Sequence, residues 1–124
     1  MQTRPVLVWV IFIYTLIAVG FFLFGSILTL IGAIPVKLGP LFLPTLLIEA
    51  VHLAAGISLF MLRKIAVALF ITYFALIILS LALQFIVTGS AAFGGGLLGV
   101  MLAWIIVIAI ILYALSLEKN GILQ

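Results

Sequence analysis

The chain has 124 residues, 69% of them hydrophobic and 6% charged, with a formal net charge of +3 and a mean hydropathy of +1.71. Soluble globular chains are about one-quarter charged, so the solvent of this chain is lipid, and its length allows one domain. The few basic residues are scattered, which excludes a nucleic-acid-binding surface, and the lack of cysteine excludes disulfide exchange, thiolate metal sites and a Cys nucleophile.

Breakers and charges divide the chain into four apolar runs. The first covers residues 6–31 and stops at Gly32 and Pro35. It is far longer than the roughly 7–15-residue apolar stretch of a secretory signal, so it reads as a retained helix. The second run, residues 41–62, opens with Pro40 and Pro44, where a missing N–H costs a helix little. The third covers residues 65–87 and the fourth about 93–117. Each exceeds the roughly 20 residues needed to cross the hydrocarbon core as a helix. Short joins at 32–40, 63–64 and 88–92 make sequence neighbours antiparallel and adjacent. The expected fold is an all-α, polytopic, up-down-up-down four-helix transmembrane bundle.

Orientation follows from the positive-inside rule. With four spans, Arg4, Arg63, Lys64 and Lys119 share one side and Lys37 alone marks the other. Both ends are therefore expected in the cytoplasm, and the bias argues against dual topology. Trp9 and Tyr113 fall near the inner boundary, where amphipathic rings settle at headgroup level. Trp104 falls deeper and reads as a packing residue. The tail, residues 118–124, reads as a frayed helix end with Asn120–Gly121 as its stop. An IAVGFF string at Ile17 and IAVALF at Ile65 lie half a chain apart, but at different depths, which does not make a repeat.

The chemistry is concentrated in one stretch, PTLLIEAVHLAAG from Pro44 to Gly56, which holds the only carboxylate and the only imidazole in an apolar run. Ionisable groups at bilayer depth are costly, so Glu49 and His52 are functional candidates by default. At helical periodicity Thr45, Glu49, His52, Gly56 and Arg63 share a narrow stripe. The third helix has a matching stripe of Tyr73, Ser80 and Gln84. Counting rise from the 63–64 turn sets Thr45 level with Gln84, Glu49 with Ser80, and His52 near Tyr73. The expectation is a buried polar ladder zipping the two helices by hydrogen bonds of about 1 kcal/mol each. Glu49 and His52 can be read as a proton or cation site, or as a pair that only locks helix packing; no second membrane carboxylate exists to extend a relay.

Glu49-x-x-His52 has the i, i+3 form found in di-iron helix bundles, but such sites need two of these motifs and two further carboxylates. The chain supplies one motif, so no metal and no other cofactor is expected. Nor does it hold the residues of a catalytic triad or a phosphate-binding glycine loop, and no catalytic residue is assigned.

The fourth run opens with Ala91, Gly95, Gly99 and Ala103 at four-residue spacing. Small residues in this pattern let backbones approach, either as a seam between copies or as close packing within the bundle. Ala50, Ala54 and Ser58 form a weaker seam on the second helix.

The opening RPVLVWVIFIY and the later LRKIAVALF resemble a group of small uncharacterised bacterial four-helix integral membrane proteins, whose helix layout the resemblance spans; it implies no assigned activity. In size and helix count the chain also resembles the small multidrug resistance exporters. That resemblance implies dimers around an essential Glu and a glycine seam on the fourth helix, although the Glu here is on the second helix, not the first.

These readings lead to an integral protein of a bacterial inner (plasma) membrane. Two functions stay open. One is a non-enzymatic structural, assembly or accessory subunit. The other is a small oligomeric proton-coupled transporter or ligand-binding protein using Glu49 and His52. The expected partners are the lipid bilayer and either further copies of the chain or a larger membrane protein.

Overall fold

The computed structural model describes residues 4–33, 42–89 and 97–124. Four helices follow one another: α1 (Val6–Leu30), α2 (Phe42–Phe60), α3 (Ile65–Thr88) and α4 (Leu97–Lys119). Each is long and apolar enough to cross a membrane. Even α2, the shortest at 19 residues, spans roughly 28 Å at 1.5 Å per residue. Large apolar side chains such as Phe21, Leu43, Ile86 and Leu98 stand exposed on the outside of the helices. That surface is unfavourable in water and at home in hydrocarbon. The chain is an all-α, four-helix integral membrane protein.

Close packing runs α1 on α2, α2 on α3 and α3 on α4. The α2–α3 contact is the most extensive, as expected where residues 61–64 alone separate the two helices. The main core lies toward the end of the bundle that holds the two chain ends and the α2–α3 turn. It joins Val8 and Ile11 of α1, Ala55 and Leu59 of α2, Phe70 of α3, and Ala114 and Leu117 of α4, with further neighbours. A smaller cluster of Ile48, Tyr73 and Val107 lies further along.

The tightest contact is between α1 and α2. A Cβ on Gly56 would fall 2.7 Å from Thr15 Cγ2, so any larger residue there would force Thr15 or a helix to shift. Thr15 is fully buried, and its hydroxyl donates to the Ile11 carbonyl at 2.8 Å. That bond satisfies the one polar atom the side chain brings into the contact.

Three helix ends close in the same way. Gly32 at φ 78, Leu62 at φ 56 and Gly121 at φ 75 each adopt the left-handed conformation just past a helix. In each case the following N–H reaches back to a carbonyl of the last turn: Ala33 to Leu28, Arg63 to Ser58 and Ile122 to Leu117, all at 2.9 Å. This is the Schellman arrangement, which satisfies carbonyls the helix leaves open. Glycine adopts it freely, whereas Leu62 does so against the clash of its Cβ. Burial of the Leu62 side chain in the core offsets that cost.

Several expected boundaries shift for identifiable reasons. The second helix stops at Phe60, short of residue 62, because Leu62 turns the chain. The third runs to Thr88, where Gly89 at φ 64 follows. The fourth continues past 117 to Lys119, and its expected start at 93 lies outside the described residues.

The expected frayed tail is corrected. Beyond Gly121 the chain folds back onto the α2–α3 turn. The Gln124 N–H donates to the Leu62 carbonyl at 2.8 Å, and the Lys64 N–H donates to the Gln124 carbonyl at 3.0 Å. Leu123 is 1% exposed, within the main core. Burial of Leu123, packing of Ile122 against the core and the backbone bonds at Gln124 together offset the entropy of ordering the tail.

Arg4 ties the other chain end to the same place. Its Nε–H donates to the Phe60 carbonyl at 2.6 Å, and its guanidinium lies 4.3 Å from the Phe60 ring centre. Phe60 also stacks on Phe12 and meets the edge of Trp9. A cation at the C-terminus of α2 neutralises an open carbonyl and the negative end of the helix dipole.

Candidate functional site

A partly open cavity of about 270 Å³ lies between the helices, beyond the main core. Its walls include Thr45 and Glu49 of α2, Tyr73, Ser80 and Gln84 of α3, and Trp104 and Ala103 of α4. Apolar neighbours such as Ile48, Ile77 and Val107 complete it. Thus the two stripes read from the sequence face one shared space. His52 is not on the wall. It lies behind Tyr73, with ring centres 4.2 Å apart and planes inclined by 13°.

Glu49 on the wall faces the enclosed His52 behind it. The imidazole is 2% exposed and the carboxylate side chain 19%. His52 Nδ1 and Glu49 Oε2 stand 3.7 Å apart, and neither has a hydrogen-bond partner among the described residues. Buried polar atoms are almost always paired, so two facing orphans at one point are unusual. The separation is too long for a hydrogen bond.

The ladder therefore takes a different form from the expected one. Its members share a cavity instead of closing rung by rung. The Gln84 side-chain amide donates to the Ser80 hydroxyl within α3, at 3.3 Å. Glu49 Oε2 finds no partner across the gap. His52 and Tyr73 fill the space between α2 and α3 with stacked rings, and beyond them Glu49, Ser80 and Gln84 line the cavity. Arg63, on the same sequence stripe, is exposed in the turn and takes no part.

The small-residue pattern on the fourth helix is divided. Ala91 and Gly95 lie outside the described residues. Gly99 is exposed, with open space where a Cβ would stand, and Ala103 lines the cavity. On α2, Ala50 and Ala54 are exposed and Ser58 is half-buried.

Two wall residues were not singled out in the sequence as belonging to this group. Trp104, expected to be a packing residue, lines the cavity while also meeting the edge of Phe74. Tyr14 of α1 lines it too, its ring centre 6.2 Å from that of His52. Its signal was available: it is the only tyrosine in the first apolar run and sits well inside it, away from either interface. What could not be read was the direction in which it points.

Among the described residues no group of three or more His, Cys, Asp or Glu side chains converges to hold a metal. The arrangement offers one acid–imidazole pair, several hydroxyls, an amide and aromatic faces around a space large enough for a small molecule. Comparison with family models, with curated proteins and with solved structures returns no match, and the site rests on its own geometry.

Proposed function

We propose that this protein binds a small ligand in the cavity beside Glu49, with the Glu49–His52 pair carrying a proton linked to that binding. The observation that carries this reading is the cavity itself. It gathers Thr45, Glu49, Tyr73, Ser80 and Gln84 around one space within an otherwise apolar bundle. Polar groups inside a membrane protein are costly, and they are kept where they serve a ligand, an ion or a proton path. Binding pockets have the same composition, mostly apolar walls with a few convergent polar groups.

In this reading the protein resides in a bacterial plasma membrane with both chain ends in the cytoplasm. The gathering of Arg4, Arg63, Lys64 and Lys119 toward one end of the bundle supports that orientation. The protein acts as a binding or transport component and not as an enzyme.

The test is reconstitution in liposomes with a trapped pH dye. Addition of ligand is expected to move protons in the wild type and not in Glu49→Gln. Normal proton movement in that variant would remove the carboxylate from the mechanism.

A second reading, that of an accessory or assembly subunit, draws on the other side of the pair. His52 is enclosed, stacked on Tyr73 and next to the Gly56–Thr15 contact, as a purely structural residue would be. That reading expects His52→Ala and Glu49→Gln to change stability or recovery of a partner while leaving ion movement untouched.

A further inference from the structure

The cavity has a neighbour that shares one wall residue with it. Tyr14 lines it on one side, and on the other side the same residue lines a second hollow of about 380 Å³ between α1 and α4. That hollow is bounded by Leu7, Val10 and Tyr14 of α1 and by Ile106, Ala109 and Tyr113 of α4. On both helices these residues recur at helical spacing, so each presents one apolar stripe across the gap. α1 and α4 are also absent from the helix pairs that pack closely along their length. The bundle is joined most closely through α1–α2, α2–α3 and α3–α4, and between its first and last helices an apolar groove lies over the core residues Ile11 and Ile110. The groove faces lipid.

Resting on the cavity reading above, we infer that the groove and the cavity form one continuous site for a single-tailed amphiphile drawn from the bilayer. The apolar tail lies between α1 and α4, and an amine head reaches the cavity beside Glu49. Tyr14 stands at the junction. The length of the groove fits a tail segment: the seven-residue step from Leu7 to Tyr14 covers about 10 Å of helix. The head class follows from charge and aromaticity. The cavity wall contains one acid, Glu49, and no Lys or Arg, which disfavours a carboxylate or phosphate head. Tyr14, Tyr73 and Trp104 add ring faces that attract an ammonium group. Each of the chain's three tyrosines lies on one of these two spaces, with Tyr113 on the groove and Tyr14 on both.

The chain's two tryptophans make the test direct. Trp9→Phe leaves Trp104, on the cavity wall, as the only indole, and keeps an aromatic ring against Phe60. In nanodiscs, a long-chain alkylamine bearing a nitroxide quencher near its amine is expected to quench Trp104 saturably. Plain dodecylamine should displace it, whereas dodecanoic acid and ethylamine should not. Ala109→Phe, which fills the groove away from the cavity, should weaken dodecylamine at least about tenfold, and Glu49→Gln should do the same. If Ala109→Phe loses its helical signal, Ile106→Phe fills the same groove. Ethylamine displacing as well as dodecylamine, with no effect of groove filling, would overturn the amphiphile while leaving the cavity reading intact. Unsaturable quenching in a folded Trp9→Phe protein would overturn both. Displacement by dodecanoic acid equal to that by dodecylamine would overturn the amine head.

Discussion

The two ends of this bundle are built on different principles. At the end that holds both chain termini, several devices close the structure around the α2–α3 turn, beside the groove between α1 and α4. Leu123 plugs the core, Gln124 is hydrogen-bonded to the α2–α3 turn, Arg4 caps α2, and Leu62 accepts a left-handed backbone to make the turn. Further along, where Glu49 faces Ser80 and Gln84, side chains surround a space. The pivot between the two regions is the Gly56–Thr15 contact with the His52–Tyr73 stack beside it. In lipid, apolar contact between helices gains nothing from leaving water, so close shape fit and hydrogen bonds do the holding. A bundle clamped around α2 can leave space between other helix faces without coming apart.

That contrast can be broken at the pivot with the largest effect. Gly56→Leu drives a side chain into Thr15 and should prevent recovery of folded protein; Gly56→Ala should cost about 1–3 kcal/mol. Thr15→Ala, which removes the nearest atoms, should return part of the Gly56→Ala loss, as read by unfolding of the double mutant in detergent. Simple additivity of the two changes would argue against the contact.

Removing the plug comes next. Leu123→Ala should cost about 2–3 kcal/mol, the lower part of the range for emptying a buried leucine site. A tail that is frayed in the membrane would show no change in thermal unfolding. His52→Ala removes the stack on Tyr73 and should cost about 1–2 kcal/mol, with Tyr73→Phe nearer neutral because the ring contact survives. Equal losses in the two variants would point to the Tyr73 hydroxyl instead of the stacked faces.

Arg4→Ala should be milder, about 1 kcal/mol, through loss of one charge-assisted bond at a helix end. Smallest of all for stability is Glu49→Gln. It keeps the shape and leaves the cavity open, so unfolding should shift by less than about 0.5 kcal/mol while ligand-linked proton movement disappears. A large stability loss there would mean that Glu49 belongs with the clamped region, and would favour the accessory-subunit reading.

Sequence and structure contribute differently to the two regions. The solvent, the number and order of helices, and the Gly32 and Gly121 stops are legible from residues alone. Hydropathy, periodicity and glycine conformation are local properties, and they survive in a one-dimensional string. The placement of Thr45, Glu49, Tyr73, Ser80 and Gln84 toward one another was also legible, since a short turn fixes relative depth on two helices.

The tertiary structure decided what local pattern cannot hold. Whether facing polar residues close into a ladder or stand around a cavity depends on how the helices pack. Here α2 is held against α1 at Gly56 and Thr15, and the polar stripes beyond that contact line a cavity. The same is true of Leu123, whose burial needs the turn of a distant hairpin beneath it, and of Tyr14, which lines the cavity beside His52 of another helix. Pro44 to Gly56 could be singled out from its charges alone. That its Glu49 faces an open space while its His52 is sealed follows only from where the helices touch.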